Sequence, residues 1–230
     1  MTGSLVVVGT GIGAAQLTAE ARAEIAGAED VFFLVGDPVS EHTVLQLAPH
    51  ARSLEGCYDH GGPGRRAYER MVDVMLEPAR AGRHVCAAFY GHPGVFVLPS
   101  GEAIRQARSE GIRARMLPAV SALDCLFADL GVDPAAAGCQ LYEAGDFSRR
   151  RPAIDTGAVL ILLQAGVVEA RAELVAAVRN WYPESHELVV YEASPYPGIA
   201  PVIEHVTLAA LDGAPLTQRS TVCVPPLSAP

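Results

Sequence analysis

The amino-acid sequence predicts an α/β protein with mostly parallel strands, and two observations support this prediction. In the first half of the chain, short runs rich in β-branched residues alternate with segments whose apolar residues recur at helical spacing. Such alternation is typical of strands joined by crossover helices. The chain also has 230 residues, of which 50% are hydrophobic, so it can bury a substantial core as one compact unit or as two small lobes.

The first strand–helix–strand unit lies within residues 4–35. Residues 4–8 and 31–35 are rich in valine and phenylalanine, which predicts strands. Between them, Thr18 is placed to cap a helix. The apolar positions of this helix repeat at helical spacing and are Leu17, Ala21, Ile25 and Ala28.

Further elements follow along the chain. A helix after a loop at residues 55–64 has Tyr68, Met71 and Met75 on one face. Other helices are predicted around Val44, from Pro99 to about residue 109, from Ser121 to residue 130 and from about residue 169 to 181. Strands are predicted at residues 85–90, 113–116, 140–142, 159–163, 188–191, 202–205 and 221–224.

Two features are expected to interrupt this pattern. Pro78 lies inside a helical pattern, where its ring removes a backbone N–H and crowds the preceding turn, so we expect it to kink or end the helix. Residues 145–156 are polar and carry Arg149, Arg150 and Arg151 in a row. They predict an exposed loop.

Charge and composition exclude several classes of partner. The 17 basic and 26 acidic residues give a formal net charge of -9, which disfavours nucleic acid. The longest wholly apolar run, residues 158–163, is far shorter than the roughly 20 residues of a membrane span. The amino terminus shows no signal-peptide pattern. We therefore expect a cytoplasmic protein with neither a nucleic-acid nor a membrane partner.

Cysteines and histidines predict no metal site. The five cysteines form no C-x-x-C pair, and their odd number argues against a disulfide framework, so most are expected to be buried and reduced. The seven histidines show no H-E-x-x-H motif and no clustering with carboxylates at metal-ligand spacing.

A glycine-rich segment at residues 9–14, Gly-Thr-Gly-Ile-Gly-Ala, matches a variant of the dinucleotide fingerprint. Asp37 is the acidic residue best placed to accompany it, at the end of the second strand. The signal is weak, because glycines at this point serve a tight turn equally well. A nicotinamide-dependent oxidoreductase and a purely structural turn both stay open.

A second turn at residues 89–96, Phe-Tyr-Gly-His-Pro-Gly-Val-Phe, is more informative. Its glycines and proline bring bare backbone to the carboxyl edge of the sheet, where ligands bind in open α/β sheets. That backbone can hold the amino acid end of a cofactor while Tyr90 projects into the cleft. The alternative is a rigid turn with a packed aromatic ring. Phenols and guanidinium groups lie in and just after the loop at residues 55–64, and alone they are unremarkable: Tyr58, Arg65, Arg66 and Tyr68.

Taken together, these segments resemble the tetrapyrrole methylase superfamily and, more closely, its borosin branch, the peptide backbone α-N-methyltransferases. The segments that carry the resemblance span nearly the whole chain and are residues 4–12, 35–38, 89–96, 109–118, 121–130, 142–147 and 220–226. The resemblance implies a two-lobed α/β fold, with a mostly parallel amino-terminal sheet in residues 1–117 and a mixed carboxyl-terminal sheet in residues 118–230. The cofactor would lie in the cleft between the lobes.

The resemblance also implies S-adenosylmethionine as cofactor and assigns residues to it and to catalysis. The implied cofactor residues are Tyr90, His92, Val95, Phe96, Ser121, Ala122, Gln164 and Thr221. The implied catalytic residues are Tyr58, Arg65, Tyr68 and Tyr90. The family's arginine should stand four residues before Tyr68, where this sequence has Gly64. Either Arg65 or Arg66 would take its place, or the substrate carbonyl is handled differently.

A mechanism follows from the chemistry of an amide, whose nitrogen is nearly non-nucleophilic until its proton is lost. We hypothesise that Tyr58, with a pKa lowered by a nearby guanidinium, removes the proton directly or through a water. Tyr68 and Arg65 would hydrogen-bond the developing imidate oxygen, and Tyr90 would align the reacting groups. By resemblance to split bacterial members, the acceptor is a separate precursor peptide, since no substrate tail follows Pro225 and Pro226, and the enzyme is an intertwined homodimer.

Three alternatives stay open at this point. The first keeps the cofactor and the fold but takes a tetrapyrrole as acceptor, against which the negative net charge argues mildly. The second is the nicotinamide-dependent oxidoreductase. The third is a non-catalytic protein that binds the precursor peptide, against which the spacing of the three tyrosines argues.

Overall fold

A computed structural model describes residues 3–58, 64–167 and 171–227. Part of the predicted loop at residues 55–64 and the start of the helix predicted at residue 169 lie outside the described residues. The chain divides into two compact units. The first runs to Ala122 and includes residues 195–198, and the second contains the rest of the chain.

The first unit is built on a five-stranded, wholly parallel sheet with the strand order β3-β2-β4-β1-β5. Its strands are β1 (Ser4–Gly9), β2 (Asp30–Leu34), β3 (Arg52–Ser53), β4 (His84–Phe89) and β5 (Arg113–Met116). Its helices are α1 (Ala19–Gly27), α2 (Pro38–Leu47), α3 (Arg65–Arg80) and α4 (Leu98–Ser109). The prediction of a parallel sheet in this part of the chain is confirmed.

Helices cover both faces of this sheet, because successive residues of a strand point to opposite faces. Leu5 and Val7 of β1 pack in one core cluster with residues of α3 and α4. Val6 and Val8 pack in another, with residues of α1 and α2. This double burial explains why the strand reads as a continuous apolar run.

Sequence signals for helix starts and ends match the structure in most places. The Thr18 hydroxyl accepts a hydrogen bond from the Ala21 N–H at 3.1 Å and caps α1. Asp37 caps α2, with Pro38 as its first residue. Pro78 does not end α3, which continues to Arg80. The helix continues for only two residues beyond the proline, and the first of them, Ala79, is buried.

The second unit contains a mixed sheet with the strand order β6-β7-β10-β8-β9, in which only the β6–β7 pair is parallel. Its strands are β6 (Cys139–Glu143), β7 (Val159–Leu163), β8 (Glu187–Glu192), β9 (Val202–Thr207) and β10 (Thr221–Val224). The helices of this part of the chain are α5 (Ala122–Leu130), α6 (Pro134–Ala137), α7 (Ala144–Arg150) and α8 (Arg171–Arg179). The mixed sheet confirms the expected fold class.

The prediction of a loop at residues 145–156 was wrong for its first half, which forms α7. The Glu143 carboxylate caps this helix by accepting hydrogen bonds from the N–H groups of Gly145 at 2.9 Å and Asp146 at 2.6 Å. Phe147 is buried on the inner face. The arginines at residues 149–151 are exposed, as predicted.

The cysteines follow the expectation that most are buried. Cys57, Cys86 and Cys223 are buried, whereas Cys125 is half-buried and Cys139 is exposed. Burial raises the pKa of the Cys223 thiol to about 11. Such a thiol is protonated and unreactive at neutral pH.

Candidate functional site

The turn after β1 is closed by one glutamine. The Gln16 Oε1 atom accepts hydrogen bonds from the Ile12 N–H at 2.8 Å and the Gly13 N–H at 3.1 Å. These amides are the type of donor that a dinucleotide fingerprint presents to a phosphate. The Asp37 Oδ1 atom likewise accepts from the N–H groups of Val39 and Ser40, and so serves as a helix cap. The residues that suggested a nicotinamide cofactor therefore have structural partners within the protein.

The turns after β1 and β4 are joined through their backbones. The Gly11 N–H donates to the Gly91 carbonyl at 3.3 Å, and the Gly91 N–H donates to the Gly11 carbonyl at 3.0 Å. Both glycines have positive φ, at 75° and 66°. A Cβ atom on Gly9 would lie 2.1 Å from the Gly91 carbonyl oxygen. Glycine is required here because the two turns approach each other so closely.

The turn at residues 90–97 is held by hydrogen bonds on both sides. The Tyr90 N–H donates to the Leu34 carbonyl at 3.0 Å, and the half-buried Tyr90 ring packs beside Gly36. Within the turn, the Gly94 N–H donates to His92 Nδ1 at 2.9 Å. The buried Ser100 hydroxyl donates to the Pro93 and Val97 carbonyls. The turn is therefore rigid, and it lies at the carboxyl edge of the parallel sheet.

Two predicted cofactor residues have a strained backbone. Phe96 in the first unit has φ 55°, and its side chain is 46% exposed. Gln164, which directly follows β7 in the second unit, has φ 57° and is exposed. Non-glycine residues rarely adopt this conformation, and those that do are concentrated at functional sites. Because the Phe96 ring is exposed, packing in the core does not explain why this turn carries an aromatic side chain.

The other predicted cofactor residues lie at several depths. Val95 and Ala122 are half-buried, whereas Ser121 and Thr221 are buried. A Cβ atom on Gly9 would meet both Ala119 and Pro93, so the segment that leads to Ser121 lies beside the turn after β4. Thr221 is the first residue of β10 in the second unit. All predicted site residues except Gln164 and Thr221 belong to the first unit.

Tyr58 and Tyr68 lie close together on the α3 side of the sheet. Both are half-buried and pack against the core cluster formed with α3 and α4. Burial raises the pKa of the Tyr58 phenol, and the neighbouring Tyr68, Glu55 and Cys57 raise it further. The prediction that a guanidinium lowers this pKa was wrong, because no arginine is among the causes.

Of the arginines predicted to serve the site, Arg65 lines the same groove as Tyr68, between α3 and α4. The Arg65 side chain is 91% exposed and pairs with Glu69, four residues later on α3, at 2.9 Å. Arg66 is exposed as well. The guanidinium that reaches the Tyr58 turn belongs to Arg70, whose Nε donates to the Cys57 carbonyl at 3.0 Å. Sequence reasoning missed Arg70, and its position on the same helix as Tyr68 was the one available signal.

A groove with a volume of about 820 Å³ runs between α3 and α4 in the first unit. Tyr68, Val72, Leu98 and Pro99 give it apolar surface, and Leu98 is 64% exposed. Charged residues of both signs line the remainder. The groove therefore places a phenol beside space for a ligand with apolar side chains.

The described parts of the chain contain neither a candidate metal site nor a candidate membrane span. No group of three or more histidines, cysteines or acidic residues there is placed to hold a metal ion. No helix there combines the length and the apolar character that crossing a membrane demands.

Comparison with known families decides the classification. A family model described as Tetrapyrrole (Corrin/Porphyrin) Methylases matches residues 4–212. The chain belongs to the tetrapyrrole methylase family. The fold agrees, since the chain combines a parallel five-stranded sheet with a mixed five-stranded sheet.

Several curated relatives are named as methyltransferases joined to cyclic peptide precursors. This chain is 39% identical to the methyltransferase/ribosomally synthesized cyclic peptide gymnopeptides precursor of Gymnopus fusipes, over 97% of this chain and 57% of that protein. It is also 39% identical to the corresponding omphalotin A precursor of Omphalotus olearius, over 97% of this chain and 58% of that protein. The chain therefore spans just over half the length of these relatives. Other relatives are named as borosin precursors, which confirms the resemblance seen in the motifs.

Solved structures share the fold at lower identity. Uroporphyrin-III-C-methyltransferase from Thermus thermophilus superimposes with a TM-score of 0.73 at 22% identity, covering 98% of this chain and 93% of that one. The same kind of enzyme from that organism, complexed with S-adenosyl homocysteine, gives a TM-score of 0.71 at 19% identity, covering 97% of both chains. These similarities establish the fold of this chain.

Proposed function

We propose that this protein transfers a methyl group from S-adenosylmethionine to backbone amide nitrogens of a precursor peptide. The observation that carries the proposal is the similarity, over 97% of this chain, to relatives named as methyltransferases joined to cyclic peptide precursors. A tetrapyrrole acceptor is not favoured, because the uroporphyrin and precorrin methyltransferases that share the fold are 17–22% identical to this chain, whereas the gymnopeptides and omphalotin A precursors are 39% identical.

The cofactor would be held at the carboxyl edge of the parallel sheet. The backbone turn at residues 91–94 and the exposed, strained Phe96 fit a ligand with an amino acid end and a flat base. We assign Tyr90, His92, Val95, Phe96, Ser121 and Ala122 to it from the first unit, and Gln164 and Thr221 from the second. When bound, S-adenosylmethionine supplies an electrophilic methyl group.

We assign proton removal from the peptide amide to Tyr58. Since burial raises the pKa of this phenol, it is protonated at neutral pH and must first lose its proton to water. The phenolate is then a stronger base than an exposed tyrosinate, which suits a weakly acidic amide. Tyr68, from its position near Tyr58, would donate a hydrogen bond to the carbonyl oxygen as negative charge develops there. Tyr90 would orient the acceptor.

Three finer proposals accompany this assignment. The precursor peptide is supplied as a separate chain, the enzyme works as a homodimer, and it acts in the cytoplasm. A further proposal divides the chain into lobes of residues 1–117 and 118–230. The relatives' names place a precursor with the methyltransferase, which supports a peptide partner. Light scattering of the purified protein at several concentrations tests the dimer.

The deciding experiment supplies the peptide in trans. The purified protein is incubated with methyl-deuterated S-adenosylmethionine and the peptides encoded beside its gene, and the products are analysed by tandem mass spectrometry. We expect 17-dalton increments on backbone amides, corresponding to one CD3 group replacing one hydrogen, about 14 daltons plus three for deuterium. Cofactor binding by calorimetry without any peptide product would contradict the peptide assignment. Absence of both would contradict the methyltransferase assignment.

A further inference from the structure

Arg70 of α3 connects the helix that carries Tyr68 to the turn that carries Tyr58. Its Nε donates to the Cys57 carbonyl oxygen at 3.0 Å, and its Nη2 donates to the same oxygen. Arg70 is half-buried, in contrast to the exposed Arg65 and Arg66. The Arg70 side chain thus links two positions 13 residues apart in sequence through two charged donors.

The peptide unit between Cys57 and Tyr58 is held on both sides by this arrangement. Its carbonyl oxygen accepts from Arg70, and its N–H donates to the Glu55 carbonyl at 2.9 Å. A peptide unit is planar, so fixing its oxygen and its N–H fixes the orientation of the plane. The direction in which the Tyr58 side chain leaves the backbone is then restricted to the remaining rotations of that residue.

A guanidinium suits this role better than an ammonium group. Its donors lie in one plane at fixed angles, so two of them can converge on one oxygen and define a direction as well as a distance. Lysine at the same position would supply a charge on a flexible stem. The two residues therefore separate the effect of geometry from the effect of charge.

We propose that Arg70 is a positioning residue that orients the Tyr58 phenol toward the acceptor amide by holding the Cys57–Tyr58 peptide unit. This inference rests on the proposed function of Tyr58. Arg70 acts through the backbone, so its loss lowers the rate of the chemical step and leaves the affinity for the peptide unchanged.

The kinetic test compares Arg70→Gln and Arg70→Lys with Arg108→Gln. Arg108 is a matched control because its Nε also donates to a backbone carbonyl, that of Ala114, at 3.0 Å, on the exposed surface of α4. We expect Arg70→Gln to lower kcat at least tenfold with KM unchanged, Arg70→Lys to retain part of the rate, and Arg108→Gln to match the wild type. Unchanged kcat in Arg70→Gln, or an equal loss in Arg108→Gln, would overturn the inference.

A second readout does not depend on activity. Tyrosines labelled with 13C at Cζ report the titration of each phenol by NMR, and the Tyr58 signal is assigned by its absence in Tyr58→Phe. In Arg70→Gln the turn loosens and admits water, so the Tyr58 pKa should fall toward the ordinary value of about 10. A loss of kcat with an unmoved Tyr58 titration would also overturn the inference. If the wild type transfers no methyl group, the proposed function fails while the titration still decides the role of Arg70.

Discussion

The two parts of the candidate site in the first unit are held in place by different means. The turns after β1 and β4 are joined by reciprocal backbone hydrogen bonds between Gly11 and Gly91. The turn at Tyr58 has local backbone hydrogen bonds as well, but a side chain, that of Arg70, ties it to α3. Where two backbones are hydrogen-bonded at close range, there is almost no room for an added side chain. A contact made by a side chain depends instead on one functional group, which can be changed without a steric clash. Substitutions that add volume should therefore be the most damaging in the proposed cofactor region. Substitutions that remove a functional group should be the most damaging in the proposed catalytic region.

The largest expected effect is that of Gly9→Ala. Its Cβ would lie 2.1 Å from the Gly91 carbonyl oxygen and 2.5 Å from the Ala119 Cβ, and the first of these atoms is backbone that cannot step aside. We expect a loss of about 3 kcal/mol or more in the free energy of unfolding, measured by urea denaturation.

Gly27→Ala is the matched control for this substitution. No atom lies within 4 Å of its added Cβ, and Gly27 is the last residue of α1. It should raise the free energy of unfolding by about 0.5 kcal/mol, because alanine is the better helix former. Equal stability of Gly9→Ala and the wild type would show that the two turns can separate.

The second effect in size is that of Tyr58→Phe on turnover. Loss of the proton acceptor should lower kcat roughly a hundredfold, while the thermal midpoint stays close to that of the wild type. The control is Tyr182→Phe, which removes another buried phenol whose pKa burial also raises. Full turnover in Tyr58→Phe would assign the proton transfer to another group.

A smaller effect is expected for Ser100→Ala. The Ser100 hydroxyl is fully buried and ties the Pro93 and Val97 carbonyls to the start of α4. Its loss should reduce the free energy of unfolding by about 1–2 kcal/mol and weaken cofactor binding measured by calorimetry.

Ser109→Ala, at the exposed end of the same helix, serves as the comparison for Ser100→Ala. It also loses a hydroxyl that donates to a carbonyl, that of Gln106 at 2.7 Å. Its effect should stay within about 0.5 kcal/mol. Equal losses in the two variants would remove any special role for the turn.

The subtlest effect concerns pH. Because the Tyr58 phenol must ionise, the rate should rise with pH through a pKa above about 10. Burial is the main cause of that raised pKa, and the neighbouring Tyr68 adds to it. Tyr68→Phe removes the second cause, so the midpoint of the rate–pH profile should move to lower pH while the maximum rate falls. A midpoint unmoved by Tyr68→Phe would mean that the two phenols do not interact.

Local pattern predicted the elements whose residues are buried throughout. Residues 159–163 and 221–224 were predicted as strands and coincide with β7 and β10, because an unbroken apolar run between breaking residues has few other uses. Residues 145–150 were missed as a helix. The burial of Phe147 decides that segment, and burial of this kind depends on the rest of the second unit.

The candidate site likewise combines residues that motifs predict with contacts that only the structure reveals. The tyrosines and the turn after β4 could be named from motifs, because those residues lie at fixed spacings. The Arg70 contact spans 13 residues and depends on how α3 packs on the sheet, so spacing alone did not reveal it. The upward shift of the Tyr58 pKa also depends on burial, which cannot be read from the sequence.

The reciprocal backbone hydrogen bonds between Gly11 and Gly91 couple the turns after β1 and β4, so that the two turns should move together. A displacement imposed on one turn is transmitted to the other without passing through any side chain. In an exhaustive mutational scan, positions in the first turn should therefore produce the same defects as positions in the second, although they are distant in sequence. Such matching sensitivity would identify the two joined turns as one unit before any bound ligand had been observed there.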